Sequence, residues 1–429
     1  MPPSACGAST TRALKAHGAT SRAIRERRVR AGRADGYPLS GPPPVRGGRE
    51  LIRSWVAPIG ACYTAASHVA SEKPRVVLAV DSLAQTASGI ARVARLMARA
   101  LAEEAADGAI DVEVLTLRGD EGAELGLPVT SAGGSRPRFV AATHRAALQA
   151  SCFIYDFTGI ARAHPRVPPL NRPYLTWIHG IEVWEEAEEK RVARARAARV
   201  LLVNSEYTRE RARALHAGLD HAQVCWLATE DDEPPPDLET ARDRSIVILA
   251  RLDEGGGYKG HRELIACWPE IVRRVPDARL VIVGDGPGRG TIEALAKASP
   301  ARDRIELTGL VPERQLHAIL ARCGALAMPS RGEGFGLAYA EAMRHGVPVI
   351  GSVHDAAREV KADRVSGFNV DLDRPGELSG RIVELLAQPA LARVLSLGAR
   401  QRWRDHMRYS RFAERFKPLA RSLWNVRPA

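Results

Sequence analysis

A chain of 429 residues, 45% of them apolar, has material for two or three cored domains, which excludes wholesale disorder. The net charge is +12, but residues 1–73 hold twelve Lys or Arg against four Asp or Glu, so +8 lies there and +4 in the other 356 residues. No apolar run reaches the length of a membrane span, and the six cysteines (Cys6, Cys62, Cys152, Cys225, Cys267, Cys323) lack the close spacing of a zinc site or redox dithiol. They read as reduced, buried cysteines of a cytoplasmic protein.

Residues 1–73, rich in arginine from Arg22 to Arg33 and followed by Pro42-Pro43-Pro44, read as a flexible basic extension. An upstream start codon chosen in error would give the same composition. The segment has neither the apolar core of a secretion signal nor the aromatic and motif context of a nucleic-acid binder, so no nucleic-acid partner is expected. Patterning begins at Pro74. Strands are predicted at Val76–Val80, Asp111–Leu117, Cys152–Tyr155, Tyr174–Ile178 and Val200–Val203. Helices are predicted at Ile90–Ala106, whose Ile90, Val93, Ala94, Met97 and Leu101 form one apolar stripe, and at Thr208–Leu215. Arg92, Arg95 and Arg99 on the first helix suggest a solvated face, with contact to anionic lipid as the other option.

The acidic, proline-rich run Glu230–Asp237 cannot be a helix interior or a central strand, so the linker is placed at residues 230–240. A second series follows. Its strands are Ser245–Leu249, Arg279–Val283, Ile305–Thr308 and Ala325–Met328, and its helices are Glu263–Arg274, Thr291–Ala298 and Glu313–Ala321. This order predicts an α/β protein with two Rossmann-like doubly wound domains facing a central cleft, where ligands sit at the carboxyl ends of the strands. The tail from Arg400 to Trp424 reads as basic and helical.

Glu333 and Glu341 stand out. They lie seven residues apart in Pro329-Ser-Arg-Gly-Glu-Gly-Phe-Gly-Leu-Ala-Tyr-Ala-Glu341, after the apolar run Ala325–Met328 and around Gly332, Gly334 and Gly336. Strand, glycine loop and helix follow in order, and amides at such a helix start favour an anion such as phosphate. Solvated surface charges are the bland alternative, but three glycines and both acids coincide. Upstream, Arg251 follows a strand end and Lys259 a glycine-rich loop; two cations beside flexible backbone suit a diphosphate, although on spacing alone they are equally well ordinary surface charges. Gly284-Asp-Gly-Pro-Gly-Arg-Gly290 fails as a dinucleotide fingerprint, because Arg289 or Thr291 occupies the third glycine position. His179 ends an apolar strand and can face the cleft or be an ordinary hydrogen-bonded loop histidine; Glu182, three residues on, is a weaker candidate for acceptor contact.

The segment around Glu333 and Glu341 resembles the family-4 retaining glycosyltransferases, which have the GT-B fold and a Glu-x7-Glu signature within Pro-Ser-x-x-Glu-Gly-Phe-Gly-Leu. The resemblance spans roughly residues 75–425 and implies sugar transfer from a nucleotide-diphosphate sugar with retention at the anomeric carbon. By it, Glu333 meets the donor sugar and Glu341 the ribose, while Arg251 and Lys259 hold the diphosphate with help from the backbone of Phe335, Gly336 and Leu337. His179 would line the sugar site. Gly89 would approach the phosphates, though Ser88-Gly89 stands where the family has paired glycines and a structural turn is equally open. Gly284 matches the family Gly-x-Gly turn, and Leu310 with Val311 match the segment that meets the base.

The implied division is an acceptor-side domain over residues 74–229, a nucleotide-sugar domain over 241–405 and a final helix over 406–429 crossing back to the first domain. No metal and no cofactor are expected. Partners would be the nucleotide-sugar donor and a glycan, lipid-linked or small-molecule acceptor, in a cytoplasmic protein with peripheral contact at the inner membrane face left open. A nucleotide-sugar epimerase of the same fold and a non-catalytic nucleotide-sugar-binding protein are the alternatives.

Overall fold

The computed structural model describes residues 73–85, 89–119, 122–184, 188–235, 242–254 and 258–425. Nearly all of the predicted basic extension, the later part of the predicted linker and the triple glycine 255–257 therefore lie outside the described residues.

Seven parallel strands build the first sheet: β1 (Arg75–Val80), β2 (Asp111–Thr116), β3 (Val129–Ser131), β4 (Cys152–Tyr155), β5 (Tyr174–Ile178), β6 (Val200–Val203) and β7 (Ala222–Val224), in the order 3-2-1-4-5-6-7. Six more build the second: β8 (Ser245–Leu249), β9 (Arg279–Val283), β10 (Ile305–Gly309), β11 (Ala325–Met328), β12 (Val349–Ser352) and β13 (Gly367–Val370), in the order 10-9-8-11-12-13. Crossover helices cover the faces, so the central strands are buried throughout and read as unbroken apolar runs. Six of the predicted strands coincide with observed ones residue for residue: β4, β5, β6, β8, β9 and β11. β3, β7, β12 and β13 were not predicted. They are three or four residues long, and β3, β7 and β13 lie at sheet edges, where one-sided burial gives a weak apolar signal.

The carboxyl ends of both sheets face one another. Asp81, Asp156, His179 and Asn204 follow β1, β4, β5 and β6; Arg251, Gly284, Ser330 and Asp355 come after β8, β9, β11 and β12. The halves touch there. The Glu359 carboxylate accepts the amides of Glu206 and Tyr207 at 2.9 and 2.8 Å, capping the helix Glu206–Leu215 with an anion.

The helix Tyr409–Arg421 lies on the first helix, Gly89–Ala106. Arg421 donates to both oxygens of Glu104 at 2.7 and 2.8 Å, Lys417 pairs with Glu103 at 2.8 Å, and Phe412 stacks on Trp177 at 6.3 Å.

The first-helix arginines need a correction. Arg95 is buried, and Arg92 and Arg99 are part-exposed but paired, so they form no free lipid-facing patch. Arg92 reaches Glu341 at 2.7 Å, Arg95 donates to Glu230 and Glu124 at 2.9 and 2.8 Å, and Arg99 donates to the Glu230 carbonyl at 2.7 Å and lies 3.5 Å from the centre of the Tyr409 ring. Helical periodicity marks which face is polar; it cannot show that distant segments cover that face. Among the described residues, no single helix is long and apolar enough to cross a membrane.

Candidate active site

The loop between β11 and the helix Leu337–Arg344 carries Glu333. Its shape is fixed from below by Asp355, whose Oδ2 accepts the Glu333 amide at 2.9 Å and the Ser330 hydroxyl at 2.5 Å. Asp355 is fully buried, and burial holds its carboxyl above the usual carboxylate range despite these donors. Gly334 is required by contact: a Cβ there would stand 1.9 Å from the His179 carbonyl oxygen across the cleft. Gly336 adopts φ 88°, a left-handed conformation that glycine takes without strain, and starts the helix. The next amides point along the helix axis toward the cleft, as at an anion site. Phe335 is buried with its ring against Trp226, so its backbone is anchored.

Lys259 meets Glu333 here. The ammonium donates to Glu333 Oε2 at 2.5 Å, and both side chains are about 15% exposed. Burial alone would lower the Lys259 pKa; the Glu333 carboxylate and the Tyr258 hydroxyl outweigh it and hold the ammonium firmly protonated. The site therefore holds a permanent cation beside a carboxylate at the mouth of a helix N-terminus.

Gly89 lies against this point from the opposite half, with Leu337 Cδ1 only 3.7 Å from where its Cβ would be. Glu341 is 14% exposed and pairs with Arg92 at 2.7 Å. Burial raises the Glu341 pKa, opposed by Arg92 and Arg344. Arg251 is not drawn into contact with Lys259 or Glu333; its side chain is 72% exposed and pairs with Asp253 at 3.4 Å.

His179 is half-buried and is held through its backbone, its Nε2 and its ring. Its Nε2 bonds the Asp156 carbonyl at 2.8 Å, which sets Nε2 as the protonated nitrogen, and its ring stacks on Trp177 at 5.8 Å. Its amide donates to Glu182 Oε1 at 2.5 Å, and its carbonyl accepts from Asn204 at 2.9 Å. Glu182 is thus buried, with its Oε1 occupied by backbone. Gly284 packs strand end on strand end: a Cβ there would meet the Ala250 carbonyl at 2.0 Å. Leu310 is 79% exposed and Val311 half-buried, leaving an accessible apolar edge after β10.

Sequence reasoning missed Asp355 and the role of Arg92. Asp355 follows the short strand Val349–Ser352, and a polar residue just beyond a strand's carboxyl end was the available signal. His354, Asp371 and Asp373 each offer one ligand atom within 4.8 Å of the others, but Arg331 pairs with Asp373 at 2.7 Å and Arg374 with Asp371 at 3.3 Å, so their charge is already answered.

Residues 231–402 match the family described as Glycosyl transferases group 1. The chain is 32% identical over 262 residues to the GDP-mannose-dependent alpha-(1-6)-phosphatidylinositol monomannoside mannosyltransferase of Mycolicibacterium smegmatis, covering 55% of this chain and 68% of that protein. It is 30% identical to the D-inositol 3-phosphate glycosyltransferase of Segniliparus rotundus over 168 residues, 38% of this chain and 37% of the relative. Among solved structures, sucrose-phosphate synthase from Thermosynechococcus elongatus superposes with a TM-score of 0.68 at 20% identity, covering 82% of this chain and 99% of the other. Anabaena HepE in complex with UDP-glucose superposes at 0.64 with 18% identity, covering 82% and 100%. These structures share the GT-B fold found here, two facing Rossmann-like sheets. On fold, family match and the mannosyltransferase similarity together, the chain belongs to the glycosyl transferases group 1 family.

Proposed function

We propose that this glycosyltransferase moves a hexose from a nucleoside-diphosphate sugar to a glycan, lipid-linked or small-molecule acceptor, with retention and without a metal, in the family-4 manner. The observation that carries the proposal is the Lys259–Glu333 pair at the start of the helix Leu337–Arg344, facing Gly89. The helix amides and Lys259 suit the diphosphate, and Glu333 lies where a sugar linked to that diphosphate would begin. Arg251, at the exposed end of β8, has the freedom to fold onto the diphosphate when it arrives. His179 faces the sugar, Glu341 the ribose, and the backbone of Phe335, Gly336 and Leu337 the phosphates. Gly284, Leu310 and Val311 form the surroundings of the base.

In this reading the acceptor oxygen attacks the anomeric carbon on the face from which the diphosphate leaves. The carbon–oxygen bond to phosphate breaks, the new glycosidic bond forms on the same face, and the acceptor proton passes to the leaving phosphate oxygen. Charge growing on that oxygen is met by fixed cations. Residues 74–229 would carry the acceptor, residues 241–405 the donor, and residues 406–429 tie the second domain to the first across the 230–240 linker.

Support for the donor class comes from the relatives: one is named as GDP-mannose-dependent, and solved neighbours were obtained with UDP and UDP-glucose. The first relative's name also includes a phosphatidylinositol acceptor, which favours a lipid-linked acceptor met at the inner membrane face by a cytoplasmic enzyme.

Steady-state release of nucleoside diphosphate from a panel of UDP- and GDP-sugars, with and without EDTA, tests the proposal. Release that needs an acceptor, survives EDTA and gives a product of retained configuration is expected. Isomerised free donor without acceptor would replace transfer with epimerisation, and binding with no turnover on any acceptor would leave a binding protein.

A further inference from the structure

Arg92 belongs to the first half of the molecule, yet its strongest contact lies in the second. Its guanidinium Nη1 stands 2.7 Å from Glu341 Oε1, on the helix that starts at the glycine loop. One turn earlier on the same first helix, a Cβ on Gly89 would stand 3.7 Å from Leu337 Cδ1. The first helix therefore meets the helix Leu337–Arg344 at two points, one at the predicted phosphate site and one at the predicted ribose site. The helix is anchored from behind: Arg95 is tied to Glu230 and Glu124, and Glu104 to Arg421. Arg92 is thus presented to Glu341 from a fixed base.

Glu341 needs such a partner. Its side chain is only 14% exposed, and burial favours the neutral acid, which would donate one hydrogen bond where a carboxylate accepts two. Four groups face it. Arg92 comes from the first helix and Arg344 from its own helix. Asp231 comes from the start of the linker and His317 from the helix Glu313–Arg322. Arg344 is already paired with Asp231 at 2.9 Å and bonded to the Glu233 carbonyl, which leaves Arg92 as the close cation.

Resting on the donor site proposed above, we propose that Arg92 is a positioning residue for the donor: it reaches across the cleft to hold and aim the Glu341 carboxylate for the ribose hydroxyls, so the ribose site is complete only with both halves together. An ionised Glu341 accepts from both ribose hydroxyls; the closed cleft supplies the cation that keeps it so. Donor recognition and cleft closure are then coupled through one ion pair.

Calorimetric binding of UDP and GDP between pH 5 and 9, to the unaltered protein and to Arg92→Met, Arg92→Lys and Glu341→Gln, tests this. The unaltered protein sets the reference affinity at each pH, because the terminal phosphate of the nucleotide itself titrates in this range. Arg92→Met should bind roughly tenfold more weakly than the unaltered protein at the acid end of the range, and that ratio should close as pH rises and Glu341 ionises. Arg92→Lys should restore most of the loss, and Glu341→Gln should be weak with no such recovery. Arg92→Met with unchanged affinity and profile would overturn the proposal, as would a loss of equal factor at every pH, which would make Arg92 a direct phosphate ligand instead. If the unaltered protein binds no nucleoside diphosphate at all, the donor site itself falls, and this inference with it.

Discussion

Lys259 and Glu333 are side chains whose burial gives their pairing weight. At about 15% exposure each, neither is fully screened by water, and a diphosphate entering the cleft would compete with Glu333 for the same ammonium. Lys259→Ala would leave Glu333 as an uncompensated carboxylate facing the incoming phosphates. Turnover measured as nucleoside diphosphate release should fall by a factor on the order of a thousand in Lys259→Ala, and comparably in Glu333→Gln, with circular dichroism spectra unchanged. Turnover within tenfold of the unaltered protein in both variants would contradict this assignment. Lys361 poses a different problem at the same scale. It is 1% exposed, and burial lowers its ammonium from the usual 10.5 to about 7, against the opposing pull of Asp355 and Asp363. The unfolded chain keeps that proton to above pH 10, so between pH 7 and 10 it binds more protons than the folded chain. Stability should therefore rise with pH through this window, by up to about 1.4 kcal/mol per pH unit from this one group. Urea titrations at pH 7 and 9 check it: Lys361→Met should flatten the rise, and an identical pH slope in both proteins would refute the burial argument.

The glycine loop is the element on which the site depends, and Gly334 is its tightest point. A methyl group there would sit 1.9 Å from the His179 carbonyl, a rigid backbone atom, so relief requires the halves to part. Gly334→Ala should lower turnover about a hundredfold while adding measurably to the radius of gyration in small-angle scattering. Unchanged scattering with full turnover would show that the cleft tolerates the methyl. This loop was also the most legible element in the chain. An apolar run, three glycines and a helical stretch succeed one another in sequence, and the structure keeps that succession as β11, loop and helix. The same local logic recovered β4 to β6 and β8, β9 and β11, because buried parallel strands are unbroken apolar runs bounded by polar residues. What escaped was set by distant chain. Asp355 supports Glu333 from 22 residues away and Arg92 meets Glu341 from 249 residues away, distances at which no spacing rule operates. The Glu182 carboxylate likewise folds back onto the His179 amide, a contact that sequence spacing does not mark.

Among the described residues, the contacts that join the halves include the Arg92–Glu341 pair, the Glu359 cap on the helix Glu206–Leu215, and the helix Tyr409–Arg421 laid on the first helix. The last is apolar at its centre. Phe412 is fully buried and stacks on both Trp177 and Phe416, so Phe412→Ala should destabilise the protein by about 3–5 kcal/mol in urea unfolding. A loss below 1 kcal/mol would mean that this helix is not integral to the folded unit. In the proposed reading, a donor would lie between the Lys259–Glu333 pair on one side and Gly89 with His179 on the other. The most direct measurement is calorimetric titration of UDP-glucose and GDP-mannose into the unaltered protein and into Lys259→Glu. One donor should bind the unaltered protein, and the charge reversal should abolish that binding while the circular dichroism spectrum stays that of a folded chain; equal binding by both proteins would contradict a pyrophosphate site at Lys259.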